Sequence, residues 1–284
     1  MSDTILDHGY VPEEHAPDPV IGHGDPTAPG KIGIWLFLAS EIMFFIGILG
    51  TYIVLRSGSA ELFAHHALAL SKQWAGLNTL VLILSSLTMA LAVDGAQHGN
   101  KSRVTGCLFL TLLCACGFMV IKTIEYTAKF THHTVVAKDS SGSVYVYDGH
   151  SHKNDDKEIE LSGWRIPLTA ASRDFDIHLI SEHDVEMLQK HDDPKAVEEE
   201  FKIEKSNISQ DITYGPWKNI FYACYFTLTG VHGLHVIGGI IPIFLLFAQS
   251  LRGKIFPAQT EYVGLYWHFV DLVWIFLFPL LYLI

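Results

Sequence analysis

Polar and apolar positions divide the chain into long, almost uninterrupted hydrophobic runs separated by short polar joints and one long polar stretch. A helix needs roughly 20 mainly apolar residues to cross the hydrocarbon core of a bilayer. Five runs meet that length: Ile32 to Leu55, Trp74 to Val93, Val104 to Tyr126, Ile220 to Leu251 and Val263 to Ile284. Pro242 and Pro279 fall inside the last two, which membrane helices tolerate because neighbouring groups re-satisfy the freed carbonyl. The expectation is an all-α membrane protein of five transmembrane helices. Residues 1–30 form a disordered cytoplasmic tail, 31–130 carry helices 1–3, 131–216 form a polar α+β insertion outside the cytoplasm, and 217–284 carry helices 4–5.

The insertion has its own pattern. Thr134 to Tyr147 alternates and breaks at Ser140, Ser141 and Gly142, which predicts a hairpin. Ile159 to Leu168 adds a strand. Ser181 to Lys190 predicts a short capped helix, and Asp193 with Pro194 predicts the start of another over Ala196 to Lys205.

Composition agrees with a membrane setting. Charged residues make up 17% of the chain, against about 25% in soluble domains. The net charge of −11 is concentrated in the tail and the insertion, so the total says little about partners; no nucleic-acid partner is expected. Basic residues of the short loops (Lys101 and Arg103, Arg252 and Lys254, against Arg56 and Lys72) place the N-terminus inside and the C-terminus outside. The first 30 residues are acidic and rich in Pro, Gly and His, unlike a signal peptide. Cys107, Cys114, Cys116 and Cys224 lie in apolar runs, with spacing that suits neither zinc nor a disulfide. Trp74, Trp217, Tyr262, Tyr266 and Trp267 fit an interfacial aromatic belt. Gly47, Gly50, Gly230, Gly233, Gly238 and Gly239 are expected at close helix contacts.

Candidate chemistry lies in ionisable groups within apolar runs, where a charge costs roughly 2.5–3.5 kcal/mol on insertion scales. Glu41 lies deepest in the first span. Lys122 and Glu125 sit at i,i+3 in the third. His232 and His235 share a helix face in the fourth, and His268 and Asp271 repeat that spacing in the fifth. A metal reading uses Glu41, Glu125, His232 and His235 as ligands of a stand-alone membrane metalloenzyme. Against it, the paired Glu-x-x-His pattern of di-iron bundles is missing from every span. The insertion histidines have no clean ligand spacing either.

Four stretches carry a family resemblance: Ser40-Glu41-Ile42-Met43-Phe44-Phe45, Leu77-Asn78-Thr79, Glu125-Tyr126, and the pair Thr229-Gly230-Val231-His232-Gly233-Leu234-His235-Val236 with Tyr266-Trp267-His268-Phe269-Val270-Asp271-Leu272-Val273-Trp274. Through them the chain resembles subunit III of the haem-copper oxidases, in its five-helix bacterial form, over residues 31–130 and 215–284. The resemblance implies a V-shaped helical bundle holding structural phospholipids, and a bacterial inner-membrane location. Haem and copper would reside in partner subunits I and II, with no catalytic centre and no metal in this chain. It implies support of proton uptake, oxygen access and turnover stability in subunit I. It matches Glu41 to the family's carbodiimide-reactive buried carboxylate. Glu41, Asn78, Glu125, His232, His235, Trp267, His268 and Asp271 are the lipid-cleft and proton-related candidates. The 131–216 segment departs from the family pattern, and its acidity suggests a contact surface for cytochrome c or another donor complex. The related small subunit of a nitric oxide reductase system shares the five-helix pattern.

Overall fold

The computed structural model describes residues 29–68, 70–139, 142–154, 157–167, 186 and 198–283. The tail expectation for residues 1–30 falls almost wholly outside these residues, as does the helix expected at 181–190. The helices are α1 (Pro29–Gly58), α2 (Ala60–Leu68), α3 (Lys72–Gln97), α4 (Lys101–Phe130), α5 (Ile220–Leu251) and α6 (Pro257–Phe278), the last continued by a π-helical turn, Pro279–Leu283. Among the described residues five helical stretches have the length and hydropathy to cross a membrane, α1, α3, α4, α5 and α6 with its π turn. Each overruns its hydropathic core by a few residues or matches it, as expected where interfacial residues extend a helix. At 1.5 Å per residue, the 26 residues of α3 reach about 39 Å, against a hydrocarbon core of about 30 Å.

Helices α3 to α6 form the bundle. The α3–α4 corner turns at Gly99, whose φ of +68° favours glycine. It is tied by Arg103 to Asp94 at 2.6 Å and by the Asn100 cap on the Arg103 amide. Thr88 and Thr111 hydroxyls join the same two helices at 2.8 Å in the buried interior; such intramembrane bonds average about 0.6 kcal/mol. Helix α6 is sewn to α3 by Trp274 Nε1 donating to Thr79 Oγ1 and Trp267 Nε1 donating to Ser85 Oγ.

The small-residue expectation narrows to two positions. A Cβ at Gly239 would lie 2.8 Å from the Trp267 ring, and one at Gly238 would lie 3.2 Å from Tyr266 Oη. Gly47, Gly50 and Gly233 have nothing within 4 Å of such an atom, so they do not set helix contacts here. Trp267 is likewise no belt residue: it is wholly buried against α5, whereas Trp74 and Trp217 are exposed.

Helix α1 lies to one side of the bundle. Its buried side is a single heptad stripe, Leu38, Phe45 and Tyr52. Seven residues make nearly two turns, so these side chains stack in one line. Polar clamps follow the same line. Lys31 pairs with Glu261 at 3.0 Å, Glu41 meets His235, and Tyr52 Oη and Arg56 Nη1 donate to the Leu280 carbonyl.

The insertion builds a five-stranded sheet in the order β4-β3-β2-β1-β5, from β1 (His132–Lys138), β2 (Val144–Asn154), β3 (Glu158–Pro167), β4 (Glu199–Glu204) and β5 (Ile208–Thr213). The hairpin and third strand stand where alternation places them, with Val135 opposite Tyr147. The helix expected over Ala196 to Lys205 is not formed. Residues 199–204 are an edge strand, followed by a 3-10 turn at Lys205–Asn207. Phe201 and Ile203 alternate with exposed charges and fill one face beside Ile159 and Leu161. Sheet pairing thus overrides the helix propensity of the glutamates, and those same charges guard the open edge.

Candidate functional site

The sequence-selected residues occupy four places. The first is the crevice between α1 and α5. Glu41, near the middle of α1, meets His235 with Oε2 to Nε2 at 3.0 Å, both side chains about one-fifth exposed. The other ring nitrogen, Nδ1, lies 2.8 Å from the Val231 carbonyl. A carbonyl only accepts, so Nδ1 carries a hydrogen. One hydrogen bond then joins Glu41 to His235. Its hydrogen is either on the carboxyl and accepted by Nε2, or on Nε2 and accepted by the carboxylate. Removing it sets two lone pairs face to face, and adding one sets two donors face to face. Both are costly in a medium of low dielectric. Phe45 packs on the imidazole at 5.0 Å between centroids, and Tyr266 Oη donates to the His235 carbonyl.

The second place is at the end of the bundle that carries the sheet. Glu125 accepts from Lys122 at 2.8 Å, from Tyr225 Oη at 2.7 Å and from Tyr282 Oη at 2.8 Å. The Lys122 ammonium also lies 5.0–5.7 Å from the ring centroids of Tyr126, Tyr225, Trp274 and Tyr282. This is an ion pair inside an aromatic cage, with both side chains 7% exposed. Desolvation of such a pair is offset only by full hydrogen bonding, and here the two hydroxyls supply it.

The third place is the α3–α6 seam. His268 Nδ1 shares a 2.7 Å bond with Ser86 Oγ. Asp271 is 3% exposed and lies against the Ser86 hydroxyl. The fourth is the bundle interior. His232 lies between Phe118 and Trp274 with both ring nitrogens unpartnered, and the Asn78 amide is buried in the same condition. The shared face of His232 and His235 therefore divides, with one imidazole in the core and one toward α1. The four side chains of the metal reading fall into three of these environments. Among the described residues no group of three or more His, Cys, Asp or Glu is placed to hold a metal ion.

Comparison with known proteins now bears on the arrangement. Residues 203–284 match the family described as cytochrome c oxidase subunit III. A probable cytochrome c oxidase subunit 3 of Mycobacterium leprae is 26% identical, over 89% of this chain and 87% of its own length. Cytochrome c oxidase subunit 3 of Corynebacterium diphtheriae is 25% identical, over 93% and 98%. Subunit 3 of the cytochrome bo(3) ubiquinol oxidase of Pseudomonas putida is 25% identical, over 89% and 84%. The chain is similar to subunit III of the haem-copper oxidases.

Beyond the residues selected from sequence, this chain carries a buried polar cluster where sheet and bundle meet. Asp148 on β2 is 1% exposed. It meets His132 Nε2 at 2.8 Å and accepts from the Thr134 and Tyr214 hydroxyls. Lys218, just before α5, donates to Thr134 Oγ1 and sits 3.2 Å from the Tyr214 ring centroid. Burial works against the Asp148 charge. His132, Lys218 and the Thr134 hydroxyl outweigh it and hold the carboxyl below the usual carboxylate range. The hydrogen-bonded partners in this cluster stand 14 to 84 positions apart, so helical and strand spacing gave no sign of their pairing. The one signal was a run of histidines and an aspartate placed in a strand pattern that called for apolar residues.

Proposed function

We propose that the chain is the non-catalytic third subunit of an aerobic respiratory terminal oxidase, seated in a bacterial cytoplasmic membrane with its N-terminus inside. It supports proton supply to subunit I, a lipid-lined route for dioxygen, and the durability of the catalytic centre over many turnovers. Haem and copper belong to subunits I and II, and phospholipids fill the crevice beside α1. The carrying observation is the Glu41–His235 contact: a carboxyl and an imidazole near the middle of their helices, facing a crevice and 3.0 Å apart. A pair of this kind holds a proton without a standing net charge. That suits a group which must sit beside lipid and still answer to charge changes in a neighbouring subunit.

The test is Glu41→Gln in the assembled oxidase. Glutamine keeps the size and donates its amide to neutral Nε2, so assembly and initial turnover are retained. It cannot share a titratable proton, and the expected result is faster loss of activity per turnover. Inactivation kinetics identical to the unsubstituted complex would refute the role. Metal analysis and an optical spectrum of the isolated chain separate this reading from a metalloenzyme. The oxidase names of the relatives favour it over the nitric oxide reductase reading. The acidic edge strand, with exposed Glu198, Glu199 and Glu200, supports the 131–216 sheet as a contact surface for a donor complex such as cytochrome c. Deleting 139–210 without any change in donor kinetics or complex composition would remove that assignment.

A further inference from the structure

Where α3 begins, α4 ends and the sheet joins the bundle, a cavity of about 270 Å³ opens between them. Its mouth is apolar. Trp74 and Ile124 are 56% and 63% exposed, and Ala128 is exposed beside them. Trp74 lies in the first turn of α3, and Ile124 and Ala128 lie in the last two turns of α4. The mouth therefore meets the bilayer where hydrocarbon gives way to head groups.

The inner wall is built from rings. His132 on β1, His150 on β2, Tyr214 before α5 and Tyr222 within it all line the cavity. They pack on one another. The His132 ring centroid is 4.7 Å from that of His150 and 4.2 Å from that of Tyr214, and Tyr214 is 5.5 Å from Tyr222. Two of them are also held from behind by Asp148, at 2.8 Å from His132 Nε2 and 3.2 Å from Tyr214 Oη. Rings fixed in this way offer edges and faces of defined direction to a further ring. Glu125 and Lys129, one turn apart on α4, supply the charged part of the lining.

These features narrow the occupant. An apolar mouth at the bilayer edge admits a molecule that arrives through lipid. The volume is at the lower end for small-molecule sites, which run to roughly 300–1,000 Å³, so it takes a single-ring head and leaves a long tail outside. A phosphate seated here would meet the Glu125 carboxylate as well as the Lys129 ammonium. An uncharged ring oxygen accepts from the ammonium without that conflict.

We propose that this cavity binds the head of a lipid-soluble molecule of the quinone class. Its ring is set among His132, His150, Tyr214 and Tyr222, one ring oxygen accepts from Lys129, and its tail leaves past Trp74 and Ile124 into the bilayer. The assignment is of binding, with no change of oxidation state. The site is complete within this chain and does not depend on the oxidase-subunit reading.

The test uses the full chain purified from its membranes in mild detergent. An azido-substituted benzoquinone with a short isoprenoid tail is added and illuminated. The expected label falls on residues 71–74 or 121–132, and excess unlabelled quinone suppresses it. Ala128→Trp and Ile124→Trp each narrow the mouth, and each should cut the label about tenfold, the scale of an overpacking cost. Leu113→Trp, on the same helix, 58% exposed and outside the cavity, should leave the label unchanged, which separates a closed mouth from a damaged helix. The site would be overturned by absence of label from those residues, by full labelling in both mouth variants, or by label that anionic phospholipid displaces and quinone does not.

Discussion

Lys122 illustrates how a charge is kept inside an apolar bundle. Its ammonium is surrounded by four aromatic rings and bonded to Glu125, and each half of the pair is the other's reason for remaining charged. Removing one half strands the second, which typically costs about 3–5 kcal/mol. Lys122→Met should therefore destabilise the detergent-solubilised chain by about that much in thermal unfolding. The joint Lys122→Met, Glu125→Leu replacement should cost less than either single change, because apolar groups then meet the same rings; costs that simply add would contradict the pairing. Asp148 makes a parallel point outside the membrane. Its folded-state pKa is lowered, so the stability it contributes is present above the ordinary carboxylate pKa. That contribution is lost as pH falls through the ordinary value toward the lowered one. Hydrogen exchange of the β1 and β2 amides should accelerate across that acid window and not in the mildly acidic range, and Asp148→Asn should flatten the response. At this scale the sequence was informative about pairs on one helix. Lys122 with Glu125 was visible as i,i+3 spacing. The Tyr225 and Tyr282 hydroxyls, the His235 partner of Glu41, and the whole Asp148 cluster come from distant segments, for which spacing holds no information.

At the scale of elements, hydropathy alone located the spans, because in a bilayer every backbone group must be satisfied within its own helix. The same logic fails in the polar insertion. There, 199–204 carries helix-favouring glutamates yet pairs as a strand, since what decides is the apolar face that Phe201 and Ile203 complete. Glycine was readable as a class and not by position. Gly239 is needed because the Trp267 ring lies where its side chain would begin, and Gly264, unremarkable in sequence, meets Val93 in the same way. Gly239→Val should separate α5 from α6 and cost about 1–3 kcal/mol, measurable as a lowered melting temperature, whereas Gly233→Ala, with open space around it, should be close to neutral.

For the molecule as a whole, the bundle and the sheet meet over the His132–Asp148–Lys218 cluster, where β1 leaves α4 and the chain returns into α5. The polar clamps of α1 have a different reach. Tyr52 and Arg56 bond a carbonyl 228 and 224 residues further along the chain. In order of synthesis α1 precedes this anchor by more than 200 residues. Until that stretch is made, α1 lacks this tie, and Glu41 lacks its imidazole until α5 is made. Chains truncated before residue 280 should therefore be cleaved within α1 faster than the 284-residue chain.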